Sequence, residues 1–444
     1  MWMFFSFICA VVLLPIGIIY NRYLDEFYNV MGYLSVFYII FMIYSVSGLG
    51  SAGGFVINNT SFGLKAADST RGHPPTFVLL YDGLALKAML DEHGAISDDF
   101  PAFKSLAEES LWFRHAATNY DSTSRTIQQM LLGRFFDNSN EAGLPKFPGR
   151  GTYKMQNLFN MTAPYYNVYI LGAFLTYCRG TPDFTCRDEY EYYPDHLSEF
   201  LQFLFGKFLR MSNYLPPAGR KWFNREISQV PFIRWQNDIL LNVAAEKNID
   251  GMLFFYHSML PHAPYVMKPD GTSRILAWPV DFRYTPPEKE LLETVFKRYV
   301  EQLKYTDRQL GNVIKLLKQN NNWDKVNFVV TSDHGVAWEV EYKFRGGGII
   351  NDQTALVPMM IKPAGLKKGE GREDYYQHVN FLSTLLDMMN LLPPENLDGY
   401  SVLKEKKNFP YITLSANRWW QKDGLLKDWE AVEDVSALEF NRNR

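Results

Sequence analysis

Val326-Asn327-Phe328-Val329-Val330-Thr331-Ser332-Asp333-His334-Gly335 is an apolar, β-branched run closed by a glycine turn. It reads as a buried strand ending in an acid and an imidazole. Upstream, Thr76-Phe77-Val78-Leu79-Leu80-Tyr81-Asp82-Gly83 has the same form and ends in Asp82. The stretch from Glu288 to Lys318 is a long amphipathic helix leading into the second strand. That order predicts an α/β fold: a central, predominantly parallel sheet with helices on both faces. Parallel sheets present ligands at the carboxyl ends of their strands, so neighbouring strands would bring Asp82, Asp333 and His334 to one point. Two carboxylates and an imidazole suit zinc or manganese. Taken alone, each stretch is equally an aspartate in a strand-end turn.

A third element is Asn119-Tyr120-Asp121-Ser122-Thr123-Ser124-Arg125-Thr126, followed by Ile127-Gln128-Gln129-Met130-Leu131-Leu132-Gly133-Arg134. The hydroxyl cluster signals a helix start and Gly133 its stop. A hydroxyl there faces unpaired N–H groups and the positive end of the helix dipole, which favour an alkoxide or an attached phosphate. Without the metal strands it would be an ordinary cap.

Together these pieces resemble the sulfatase and alkaline-phosphatase superfamily. More narrowly, they look like its membrane-anchored phosphotransferases, the phosphoethanolamine transferases and lipoteichoic acid synthases. The resemblance runs from about residue 75 to 403 in the family's order. Asp82 stands where the family has its first acidic metal ligand. Thr123 stands at the nucleophile position, ten residues before Gly133, and would also bind the metal. Asp333-His334 matches the Ser-Asp-His-Gly metal motif. His257 and His262, in Phe255-Tyr256-His257-Ser258-Met259-Leu260-Pro261-His262-Ala263-Pro264-Tyr265, resemble the loop that contacts the transferred group. Tyr305-Thr306-Asp307, Asp352-Gln353-Thr354, His378-Val379-Asn380 and Asp398-Gly399-Tyr400-Ser401 are similar to further family segments. The resemblance implies transfer of a phosphoethanolamine-type head group through a phospho-threonine, with zinc, a phospholipid donor and an envelope lipid or glycan acceptor. It leaves two alternatives: a sulfuric-ester or phosphodiester hydrolase, and an inactive relative that binds a lipid or partner.

Two departures qualify it. Formylglycine sulfatases need Cys or Ser in Cys-x-Pro-x-Arg, and aligning Arg125 puts Asp121 there, with no proline following. The transferases also carry a histidine in the loop after Ser-Asp-His-Gly, where residues 336–348 have none; Lys343 and Arg345 stand there instead, either as replacement anion contacts or as solvated loop charges.

The net charge of −3 and the scattered 45 basic residues leave no electrostatic footprint for nucleic acid. Residues 1–21 and 27–64 carry no charge. Each can supply the roughly 20 apolar residues of a membrane helix, which predicts two spans within 1–48. Residues 49–74 read as a juxtamembrane linker, 75–403 as the catalytic domain, and 404–444 as a tail without a motif. The resemblance places the catalytic domain outside the cytoplasm. Cys178 and Cys186 bracket a Gly/Pro-bearing loop that closes easily as a disulfide, or they remain two thiols.

Overall fold

The computed structural model describes residues 72–120, 122–134, 157–178, 184–188, 229–274, 289–336, 338, 352–395, 397–406, 412–414 and 430–432. The expected membrane spans, most of the linker, Lys343, Arg345 and nearly all of the tail lie outside the described residues. Among the described residues, no helix is long and apolar enough to cross a membrane.

The strands are β1 (Thr76–Asp82), β2 (Leu111–Ala117), β3 (Asn167–Leu171), β4 (Thr185–Arg187), β5 (Met252–Pro261), β6 (Asn327–Ser332), β7 (Met359–Lys362) and β8 (Glu370–Gln377). They form one sheet in the order β4-β3-β5-β1-β6-β7-β2-β8. The four central and outer pairs from β4 to β6 are parallel, as is β2 with β8. The sheet is nonetheless mixed, because β7 runs antiparallel to both β6 and β2.

Helices α1 (Pro101–Glu109), α2 (Thr123–Leu132), α3 (Gln229–Ala244), α4 (Lys289–Gln319) and α5 (Phe381–Met388) cover the sheet. Alternation sorts the strand residues onto two buried faces. Phe77, Leu79, Phe254, Tyr256, Phe328 and Val330 pack with Phe103 of α1, Leu240 of α3 and Leu303 of α4. Val78, Leu80, Leu253, Phe255 and Val329 pack with Ile127 of α2 and Leu385 of α5. Both faces being covered explains why the two central strands read as continuous apolar runs.

One irregularity shapes the site. β1 and β5 stay in register to Tyr81↔Ser258, after which Asp82 pairs with Pro261. This bulge frees backbone groups that need partners. Buried Gln236 of α3 supplies them: its Nε2 donates to the His257 carbonyl at 2.8 Å, and its Oε1 accepts from Met259 N–H at 3.3 Å.

Candidate metal centre

Tyr81 and Ser332 are register partners, so the next residues along β1 and past β6, Asp82 and Asp333, emerge side by side at the carboxyl edge of the sheet. Both are fully buried. Asp333 Oδ1 accepts from the backbone N–H of Gly83 at 3.0 Å and of His334 at 2.8 Å, which fixes its rotation. The Ser332 hydroxyl donates to the His334 carbonyl at 2.7 Å and accepts from Leu84 N–H at 2.9 Å, locking the two strand-end turns together. His378 Nε2 donates to the Ser332 carbonyl at 2.6 Å, and burial pushes this imidazole down to about 4, so it stays neutral. Gly335 is required here, since a Cβ would stand 2.0 Å from the Gln353 carbonyl oxygen.

Thr123 opens α2, whose far end Gly133 closes in the left-handed conformation at φ 65°. Its Oγ1 donates to Asp82 Oδ2 at 3.1 Å and lies 3.4 Å from His334 Nε2. His334 Nδ1 donates to the Gly335 carbonyl at 2.9 Å, which leaves the Nε2 lone pair facing the threonine. His257 Nε2 approaches Asp82 Oδ2 to 3.5 Å, and His262 Nε2 stands 3.9 Å from Asp82 Oδ1.

The two carboxyls differ. Burial works against ionisation of Asp82, but the three imidazoles around it, His262 first and then His257 and His334, hold its pKa well below the usual carboxylate range. Asp333 is pushed up, by burial first and then by the Asp82 carboxylate. Two buried acids repelling one another make a site that a cation would relieve.

Of the buried polar atoms that make no hydrogen bond among the described residues, three lie together here: Asp82 Oδ1, His257 Nε2 and Asp333 Oδ2. An unsatisfied buried polar group costs about 1–3 kcal/mol, so three in one place point to a shared partner. Asp82, His257 and Asp333 each offer a ligand atom, all within 4.8 Å of one another. Two oxygens and a nitrogen at that spacing fit a divalent metal, with His334 and Thr123 alongside.

Asp82, Thr123, Asp333 and His334, expected from sequence to share an ion, therefore meet around Asp82. His257 and His262, expected to contact the transferred group, both reach the same carboxylate, but they are not equivalent. His257 is fully buried among the carboxylates, whereas the His262 side chain is 16% exposed. A histidine inside an otherwise apolar buried strand was the available signal for His257. Nothing in the sequence marks Gln236 or Tyr177, whose hydroxyl lies 2.9 Å from His257 Nδ1. Cys178 and Cys186 are joined as a disulfide, Cα atoms 5.4 Å apart.

Residues 75–391 match the family model named Sulfatase, which is most of the chain. The chain belongs to the sulfatase family. Among its relatives, human arylsulfatase K is 28% identical over 116 residues, covering 26% of this chain and 21% of that protein. An extracellular sulfatase SULF-1 homolog of Drosophila melanogaster is 23% identical over 163 residues, 36% of this chain and 14% of that protein. The match thus spans under a quarter of the length of these relatives. Solved sulfatase-like structures cover far more of the chain. A phosphonate monoester hydrolase of Agrobacterium radiobacter superposes with TM-score 0.50 at 15% identity, over 77% of this chain and 80% of that one. A protein solved with its substrate D-glucosamine-2-N,6-O-disulfate gives 0.55 at 13% identity, over 79% and 85%. At such identities the likeness is one of fold.

Proposed function

We propose that this sulfatase-family protein is a divalent-metal enzyme that moves a phosphoryl-linked group through Thr123. The observation that carries it is the threonine hydroxyl at 3.1 Å from Asp82 Oδ2 and 3.4 Å from His334 Nε2, at the first turn of a helix. A divalent cation held by Asp82, Asp333 and His334, with His257 in reach, supplies Lewis acidity that lowers the pKa of a hydroxyl and neutralises an anionic group. Zinc is the metal the family resemblance favours.

Within that setting the chain's own groups have distinct work. Asp82 Oδ2 accepts the Thr123 proton in a hydrogen bond and so aims the oxygen. The amino end of α2 favours negative charge at Oγ1 and on a phosphoryl group attached to it. Thr123 attacks phosphorus in line, the P–O bond to the leaving alcohol breaks, and a phospho-threonine diester or monoester remains. The Thr123 proton leaves to solvent as its oxygen is activated. His262, the more accessible histidine, contacts the non-bridging oxygens and, as imidazolium, gives its Nε2 proton to the leaving oxygen. The neutral imidazole then takes the proton of an acceptor hydroxyl, which attacks phosphorus as the P–O bond to Thr123 breaks. Threonine carries a methyl group on Cβ and cannot become formylglycine, which argues against the aldehyde-hydrate route for sulfate esters at this position.

A phosphoethanolamine-type phospholipid donor, an envelope lipid or glycan acceptor, and a membrane-anchored, extracytoplasmic enzyme are the reading the motif order favours. The uncharged stretches in residues 1–64 and the disulfide agree with it. The arylsulfatase relatives favour a second reading, in which water resolves the intermediate and the enzyme is a hydrolase. Intact-mass spectrometry with peptide mapping after incubation with bis(p-nitrophenyl) phosphate tests the nucleophile. A phosphoryl adduct on Thr123 is expected, lost together with turnover in Thr123→Ala. Turnover retained in that variant refutes the assignment, and release of sulfate from p-nitrophenyl sulfate without any adduct favours the hydrolase.

A further inference from the structure

We propose that Tyr177 is a positioning residue that holds His257 as a metal ligand, its Nε2 toward the carboxylates. The inference rests on the metal reading of the site given above. A neutral imidazole has one N–H and one lone pair, and a ligand needs the lone pair on the metal side. His257 Nδ1 lies 2.9 Å from the Tyr177 hydroxyl while Nε2, without a hydrogen bond, faces Asp82 Oδ2 at 3.5 Å. With the proton on Nδ1 and donated to the phenol oxygen, the lone pair on Nε2 points among Asp82 and Asp333. Metal-bound histidines nearly always make such an outer hydrogen bond, and it fixes both tautomer and ring orientation.

The phenol is itself held from several sides. Tyr177 is fully buried, and its ring occupies the space where a Cβ on Gly172 would stand, 2.2 Å from Cδ2. Gly172 N–H donates to the Arg187 carbonyl at 2.8 Å. The next residue, Cys178, is bonded to Cys186, and its N–H donates to Asp188 Oδ2 at 3.2 Å. The segment from Gly172 to Cys178 is thus pinned to β4 at the edge of the sheet, and the tyrosine carries that constraint inward to the metal centre. On this reading His257 is a ligand in addition to Asp82, Asp333 and His334, and the substrate-contacting histidine is His262 alone.

Zinc affinity, measured on the full chain by competition with a fluorescent chelator, tests this without any substrate. Tyr177→Phe keeps the ring and removes the oxygen, and loss of such a partner typically costs about 10–100-fold in metal affinity. His257→Ala should cost at least as much, and Tyr177→Phe/His257→Ala no more than His257→Ala alone, since both act through one imidazole. Should His257→Ala weaken zinc while Tyr177→Phe binds as wild type, or should the penalties add, the role of Tyr177 is overturned. Should His257→Ala also bind as wild type, the metal role of His257 fails first. A 3-fluorotyrosine at position 177 keeps the shape and makes the oxygen a poorer acceptor. Weaker zinc binding is expected, and unchanged or tighter binding overturns the proposed direction of the hydrogen bond, even if Tyr177→Phe does not fold.

Discussion

Gln302 offers a sharp test of how the fold holds His262. This residue of α4 is fully buried, and its Nε2 faces three carbonyl oxygens, of Pro261 at 3.1 Å, His262 at 3.0 Å and Pro264 at 3.2 Å. Its Oε1 accepts from Met267 N–H at 3.0 Å. One amide thus ties down the whole turn that carries the histidine. In Gln302→Met, similar in volume, the amide's two N–H bonds go, at about 1 kcal/mol each, and Met267 N–H is left orphaned at about 1–3 kcal/mol. The expected loss is therefore about 3–5 kcal/mol, read as a lower denaturation midpoint at unchanged slope. Gln302→Glu should be worse at neutral pH, because a carboxylate oxygen replaces the donor facing three carbonyls. Those oxygens raise the folded-state pKa of the new carboxyl above its unfolded value. Its stability is then fullest below the unfolded pKa and is lost as pH rises through the folded one. Urea titrations of both variants between pH 4 and 8, with KM for a phosphodiester alongside, would show this, and KM should rise more than kcat falls. A Gln302→Met midpoint equal to wild type, or a Glu variant insensitive to pH relative to Met, would refute the reasoning.

Three further outcomes are expected. Gly335→Ala should weaken zinc binding at least 10-fold in a chelator competition, because its Cβ would collide with the Gln353 carbonyl at 2.0 Å and displace the turn bearing Asp333 and His334. Gly133→Ala should destabilise by about 2–5 kcal/mol in urea unfolding, from the left-handed backbone (about 1–2) and overpacking against Leu382 (about 1–3), whose Cβ lies 3.0 Å from the added one. Asp307 accepts the Ala102 and Phe103 N–H groups at the start of α1, and burial pushes its carboxyl from 3.8 up to about 6. The folded state binds that proton more tightly, so stability relative to Asp307→Asn should be greatest near pH 4 and fall as pH rises through 6, which calorimetry at several pH values can check.

What could be read beforehand was whatever has a local period or a local chemical signature. The runs at Thr76–Asp82 and Asn327–Ser332 became neighbouring central strands, the helix expected from Glu288 to Lys318 spans Lys289–Gln319, and Gly133 closes α2. The reversal of β7 leaves no local signature, because nothing in Met359–Lys362 distinguishes an antiparallel from a parallel strand. Gln302 looked like one more polar residue on an amphipathic helix, yet its partners lie some forty residues upstream. Gln236 and Tyr177 were hidden for the same reason: they bond groups exposed by a bulge and by a particular ring orientation, and neither leaves a pattern along the chain.

The place of β6 in the sheet has a consequence for how the molecule comes into being. It lies between β1 on one side and β7, β2 and β8 on the other, although β2 is made early and β6 late. While the chain emerges from the ribosome, Asp82 and Thr123 appear more than two hundred residues before Asp333 and His334. Until the late strand slots into the gap, the two halves of the sheet have no shared seam, and Asp82 and Thr123 stand without Asp333 and His334. A growing or truncated chain thus holds only half of the candidate site, and the buried cluster is assembled only with completion of the architecture.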